Sequence, residues 1–264
     1  MDPQALAALE HENMIETMTG GAAAVPGSLV RRSAGVAMFA TGLPVRIFNQ
    51  VVVEDESASA DEIAAGVAVM RKRKERFVVH LRRGSDDRFV PLMADLGLVL
   101  PGEDTPMPGM ALHPMPRGAR GSVARHEIRQ ITDAAGMEDH IVTGAAGFGI
   151  SEDMLRAFLA ADLWQQPGRA VYVGYTDGEP VTTGLGVRTD RTIGVYNIAT
   201  IESARRQGLG AAMTVRVAAD GAAEGCDVAI LQASPMGLPI YERLGYRTVV
   251  EYDGYVEPAE PVAP

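Results

Sequence analysis

Cysteine occurs once in the 264 residues, at Cys226, so neither an internal disulfide framework nor a thiolate metal cage can be built, and a reducing compartment suits the chain. Histidine is also scarce. His11, His80, His113, His126 and His140 never fall at metal-ligand spacing with one another, and no metal site is expected. Positive charge is in deficit: 24 Lys and Arg face 34 Asp and Glu, a formal net charge of −10. That excludes a dedicated nucleic-acid binder, because tracking a phosphate backbone needs a basic face. No run approaches the ~18 apolar residues of a membrane span. The opening MDPQALAALEHENM carries acids where a secretory leader has a basic region. The expectation is a cytoplasmic protein with no metal, nucleic acid or membrane partner.

What is present points to a folded, two-part chain. Hydrophobic residues make up 47% and charged residues 22%, which is ordinary globular composition, and the length suits two domains of about 100–150 residues each. The stretch from Pro101 to Gly121, PGEDTPMPGMALHPMPRGARG, is dense in structure-breaking residues. It places a seam near residue 120, giving a first domain over 1–120, a second over 121–257 and a flexible tail over 258–264. Before Ser122 the chain has 13 basic and 15 acidic residues; from there on it has 11 basic, all arginine, and 19 acidic. Arg205 and Arg206 stand together in this acidic half, a placement that asks for an anionic partner.

The second half alternates cleanly. Arg125 to Ile131 reads as a strand, and Asp133 to Ala145 and Glu152 to Leu163 as helices opened by acids that suit the positive end of the dipole. Ala170 to Tyr175, Pro180 to Arg188 and Thr192 to Thr200 form a meander, separated by the turn signals Asp177-Gly178 and Asp190-Arg191. Gln207 to Glu224 carries Leu209, Met213 and Val217 on one helical stripe. Asp227 to Ala233 is a buried strand, Gly237 to Leu244 a short helix and Tyr246 to Val256 a last strand. The first half echoes this plan, with helices over Ala5 to Met18 and Asp61 to Arg73 and strands over Ser28 to Arg32, Val36 to Thr41, Ile47 to Val53 and Phe77 to Leu81. FVPLMADLGL from Phe89 parallels IYERLGY from Ile240, as an ancient duplication would leave it.

The chemistry concentrates in NIATIESARRQGLGAA, residues 197–212, where a strand ends and glycines open a helix. Gly208 and Gly210 remove side chains where free amides could meet an anion, and the dipole and two arginines add positive potential. The segment reads as a pyrophosphate cradle. Met213 stands where a dinucleotide fingerprint needs its third glycine, and no Gly-Lys-Ser/Thr follows, so Rossmann and P-loop readings fail.

Arg205-Arg206-Gln207-Gly208-Leu209-Gly210 resembles the Gln/Arg-x-x-Gly-x-Gly/Ala signature of the GNAT acetyltransferase superfamily. The closing Tyr241 to Tyr246, YERLGY, is similar to that family's Tyr-x-x-x-Gly-Phe/Tyr, and the likeness extends over roughly residues 123–256. It implies an α/β fold of two tandem GNAT-like domains, with a mostly antiparallel sheet splayed between strands 4 and 5, an arrangement similar to that of mycothiol synthase. By the resemblance, Arg205, Arg206, Gln207, Gly208, Leu209, Gly210 and Ala211 would hold acetyl-CoA at its pyrophosphate. Ile198, Ala199 and Thr200 would pair with pantetheine, and Ser234 would stand where relatives place a cofactor-contacting asparagine. Tyr241 would be the acid that protonates the departing thiolate.

The implied reaction is N-acetyltransfer from acetyl-CoA to a primary amine by direct attack in a ternary complex, and a cationic acceptor would suit the acidic half. The fourth strand offers Tyr196 and Asn197 instead of a basic carboxylate, and Glu127, Glu152, Asp153 and Glu202 are each better read as surface acids. The alternative is a non-catalytic acyl-CoA-binding or regulatory module. The first half carries Glu54 to Asp61, four acids and no glycine, where the cradle should be, and is expected to bind no CoA.

Overall fold

The structure is a computed structural model that describes residues 1–101, 106–115, 123, 125–160 and 162–258. The seam expected near residue 120 and the tail from residue 259 onward lie outside the described residues. In chain order the first half contains α1 (Pro3–Ala23), β1 (Leu29–Ser33), β2 (Val36–Ala40), β3 (Asn49–Val53), α2 (Ala60–Arg73), β4 (Val78–Arg82), α3 (Val90–Asp95) and β5 (Met107–Leu112). The second half contains β6 (His126–Gln130), α4 (Ala134–Phe148), α5 (Glu152–Phe158), β7 (Arg169–Thr176), β8 (Glu179–Thr189), β9 (Thr192–Thr200), α6 (Leu209–Ala223), β10 (Val228–Gln232), α7 (Leu238–Arg243) and β11 (Arg247–Tyr255).

Local chemistry sets most boundaries. Ser59 accepts from the Glu62 amide to start α2, Asp133 from Gly136 to start α4, and Ser151 from Met154 to start α5, the side-chain caps that satisfy first-turn donors. Asp177 and Gly178 turn the chain with φ of 53° and 89°, a pair suited to a tight hairpin. The helix expected over Glu152 to Leu163 stops at Phe158, and only a 3-10 turn, Leu163–Gln165, remains beyond it.

Two compact units result, and neither follows the expected division at 1–120 and 121–257. Unit 1 comprises Met1–Thr17 and Gly109–Val249, and unit 2 comprises Met18–Pro108 and Val250–Pro264. In unit 2 the sheet order is β1-β2-β3-β4-β11. β1, β2 and β3 form an antiparallel meander, β3 and β4 are parallel across α2, and β11 is antiparallel to β4, with Tyr252 opposite Arg82. Met38, Val51, Ile63, Val67, Met70, Phe77 and Met93 form its core.

In unit 1 the order is β6-β7-β8-β9-β10-β5. β6 to β9 are antiparallel, β9 and β10 are parallel across α6, and β5 is antiparallel to β10, with Ile230 opposite Ala111. Tyr172, Ile193, Val195, Met213, Val217 and Leu231 fill the core beneath α6. The strand following β4 in the chain thus pairs with β10, and the strand following β10 pairs with β4. β5 corrects the reading of Pro101 to Gly121 as a boundary alone. Met110 and Ala111 are buried, and Pro106 and Pro108 precede Gly109, the first residue of the ladder with β10, where a missing N–H is tolerated.

The first helix enters unit 1 for a polar reason. Asn13, fully buried, donates through Nδ2 to the Val187 carbonyl at 3.0 Å and the Thr189 hydroxyl at 2.8 Å, and its Oδ1 accepts from the Tyr196 hydroxyl at 2.7 Å. Gln232 Nε2 donates to Glu10 Oε1 at 2.5 Å. Gly194 makes this approach feasible, since a Cβ there would lie 2.1 Å from Asn13 Oδ1.

Candidate functional site

The site begins with a strand that outlasts its neighbour. Parallel pairing of β9 with β10 covers Thr192 with Val228, Ile193 with Ala229 and Gly194 with Ile230, yet β9 runs on to Thr200. Six residues of β9 therefore diverge from β10. Within them the register against β8 slips: Thr183 is opposite Ala199, but Leu185 is opposite Tyr196. Asn197 and Ile198 thus face Gly184 alone, a bulge that bends the strand. Asn197 takes a left-handed φ of 50°, and its carbonyl accepts from Thr183 Oγ1 at 2.8 Å.

Beyond Thr200 the chain turns into α6. Gly208 stands at the N-cap with φ 80°, no side chain caps the helix, and a Cβ at Gly208 would meet nothing within 4 Å. The first-turn amides of Leu209, Gly210 and Ala211 lack acceptors within the helix, as in every α-helix, and the dipole adds partial positive charge there. Such an end accepts anions. In unit 2, the corresponding start of α2 is closed by Ser59, and β3 continues only to Val53, one residue past its last parallel pair, Val52 with His80. Glu54 lies beside Arg32, and Asp55 accepts from Ser57.

The two arginines ahead of α6 differ. Arg205 donates from Nε to the Thr200 carbonyl at 3.1 Å and from Nη2 to the Gly147 carbonyl at 2.9 Å, tying the end of β9 to the last turn of α4. Arg206 is exposed, with a left-handed φ of 63°.

Across from α6 stands α7, six residues long with Pro239 in its first turn, where proline is tolerated. The helix is shorter than the expected Gly237 to Leu244. The Ser234 hydroxyl accepts from the Gly237 amide at 3.2 Å. Tyr241 packs its ring over Gly237, where a Cβ would approach Cε2 to 2.7 Å, and edge-on to Tyr246 at 6.1 Å between centroids. Burial pushes the Tyr241 phenol above its usual value, and pushes buried Tyr246 up further. Tyr241 therefore stays protonated through neutral pH.

These pieces enclose a cleft of about 760 Å³, within the range of small-molecule sites. Ile198, Ala199, Thr200, Arg205, Arg206, Gly208, Leu209, Gly210, Ala211, Ser234 and Tyr241 all line it. Gln207 is exposed and does not. Sequence reasoning missed Gly147 and Phe148 at the end of α4, and Met236, Ile240 and Arg243 around α7. Arg243 sits inside the YERLGY segment, and Ile240 lies three residues before it on the same face of α7; that spacing was the available signal. No acid is among the described lining residues. Glu127 is exposed against Arg129, Glu152 lies 3.9 Å from Arg156, and Asp153 and Glu202 are exposed. The acidity of the second half therefore lies off the cleft wall. No described group of His, Cys, Asp and Glu could hold a metal ion, and no described helix is long and apolar enough to cross a membrane.

Residues 167–248 match the family model described as Acetyltransferase (GNAT) domain. No curated protein sequence matches the chain. A GCN5-related N-acetyltransferase from Kribbella flavida is similar in fold over 97% of this chain and 97% of its own, at 16% identity and a TM-score of 0.69. Another from Sphaerobacter thermophilus covers 84% of this chain and 80% of its own, at 15% identity and 0.60. A tandem GNAT protein from the clavulanic acid biosynthesis pathway covers 90% of this chain and 86% of its own, at 14% identity and 0.59.

Proposed function

We propose that this chain, which carries a GNAT acetyltransferase domain, moves an acetyl group from acetyl-CoA to a primary amine, and that unit 1 alone holds the donor. The observation that carries the reading is the juxtaposition of the diverging β9 edge, the uncapped start of α6 and the Tyr241 phenol along one cleft. The cleft residues fit the donor's chemistry: uncapped amides beside Gly208 suit a diphosphate, and the β9 backbone over Ile198 to Thr200 offers amides and carbonyls to an amide-bearing pantetheine arm.

Direct attack needs the amine neutral and the thioester carbonyl polarised. The nitrogen lone pair adds to the carbonyl carbon, the C–S bond breaks, and the thiolate takes a proton. Tyr241 is the group we assign to that proton, because burial keeps its phenol protonated and a phenol is reasonably matched to a thiol. The amine's own proton leaves by a route to which we assign no side chain, since the described cleft wall carries no carboxylate. The first half, with its capped α2 and acidic loop, is read as a degenerate GNAT-like domain without a donor site, and the chain as a cytoplasmic enzyme.

The test is release of free thiol from acetyl-CoA by the full chain against a library of primary amines. Amine-dependent release supports transfer. Binding of CoA without release on any amine would replace it by a non-catalytic acyl-CoA-binding role.

A further inference from the structure

Three arginines line the cleft, Arg205, Arg206 and Arg243, and no described lining residue opposes them with negative charge. Arg205 is committed, its guanidinium bonded to the Thr200 and Gly147 carbonyls. Arg206 and Arg243 are exposed, and neither makes an ion pair or hydrogen bond with a described residue. They stand on different walls. Arg206 precedes the α6 start and Arg243 ends α7, on the face that carries Ile240 into the cleft.

Coenzyme A carries its phosphates in two places as well: a diphosphate in the middle and a monoester on the ribose 3′ oxygen. The α6 amides and Arg206 form one anion site. A second, separate cation answers the second phosphate, and a guanidinium fork can grip a phosphate monoester through two parallel N–H bonds. Resting on the donor reading above, we propose that Arg243 recognises the 3′-phosphate, so that the protein distinguishes coenzyme A from donors lacking that group. A role for Arg243 confined to the end of its own helix is a weak competitor, because six residues of helix sum to a small dipole.

The experiment is calorimetric titration of the full chain with CoA and with 3′-dephospho-CoA, for the wild type, Arg243→Gln and Arg243→Lys. The wild type should prefer CoA by about tenfold or more, the scale of a charge-assisted hydrogen bond. Arg243→Gln should lose that factor for CoA and bind dephospho-CoA as the wild type does, and Arg243→Lys should recover part of the preference. Equal weakening toward both ligands would put Arg243 on the diphosphate and overturn the proposal. An unchanged preference in Arg243→Gln would overturn it too. Those two results leave the donor reading intact, whereas a wild type that binds neither ligand removes both. Unfolding curves of the variants should overlay the wild type, since the substituted side chain is exposed.

Discussion

Replacing Tyr241 with Phe deletes one oxygen and keeps the ring against Gly237 and Tyr246. If the phenol protonates the leaving thiolate, Tyr241→Phe should lower kcat by roughly 10²–10⁴ and spare CoA affinity; an unchanged kcat would return the side chain to a packing role. His140 tests the interior. It is fully buried on α4, its Nδ1 donates to the Tyr172 carbonyl at 3.0 Å, and burial pulls its pKa down to about 4. The unfolded chain, with an ordinary imidazole near 6.5, then binds more protons, so this group's contribution is intact above that value and is lost as pH falls toward 4, by up to about 3 kcal/mol. Urea unfolding at pH 7 and pH 5 should show a smaller drop for His140→Gln than for the wild type, and parallel drops would contradict the assignment. The glycine loop and Tyr241 were legible in sequence as positions on the cleft wall, because each lies in a short contiguous motif. Arg205 was not: its role depends on the Gly147 carbonyl, 58 residues away, and adjacency to Arg206 suggested a shared task that the geometry divides.

Helices and strands of the second half were legible from periodicity, turn dipeptides and caps, which are local. β5 was hidden because its prolines and glycines read as a breaker, while its stability comes from a ladder with β10 more than a hundred residues later. α1 was legible as a helix but not as part of unit 1, since its face toward β8 and β9 is polar. Asn13→Ala should remove the bonds to the Val187 carbonyl, the Thr189 hydroxyl and the Tyr196 hydroxyl, at a cost of about 1–3 kcal/mol for the buried hydrogen bonds lost. Thermal or denaturant unfolding measures this. A shift of under about 0.5 kcal/mol, the surface norm, would mean that the Asn13 bonds do not hold the helix.

At the scale of the molecule, a fragment of residues 123–264 cuts through both units. It lacks the Met1–Thr17 part of unit 1 and β5, the antiparallel partner of β10, and it carries β11 without β4. The exposed ladders should drive it to aggregate; a monomeric fragment with the full chain's unfolding midpoint would show that the exchange of strands is dispensable. The duplication was readable from the Leu-Gly echoes, but the exchange was not, because hydropathy carries no record of which equivalent strand pairs with which. On the proposed function, one half of the duplicated chain keeps the donor site and the other has lost it. Calorimetric titration of the full chain with CoA, alongside Gly208→Glu, is the decisive measurement. That variant sets a carboxylate at the helix start, and its left-handed backbone costs roughly 1–2 kcal/mol, within the stability of an ordinary domain. One CoA per chain is expected in the wild type and none in the folded variant. Two CoA per chain, no binding at all, or binding untouched by Gly208→Glu would contradict it.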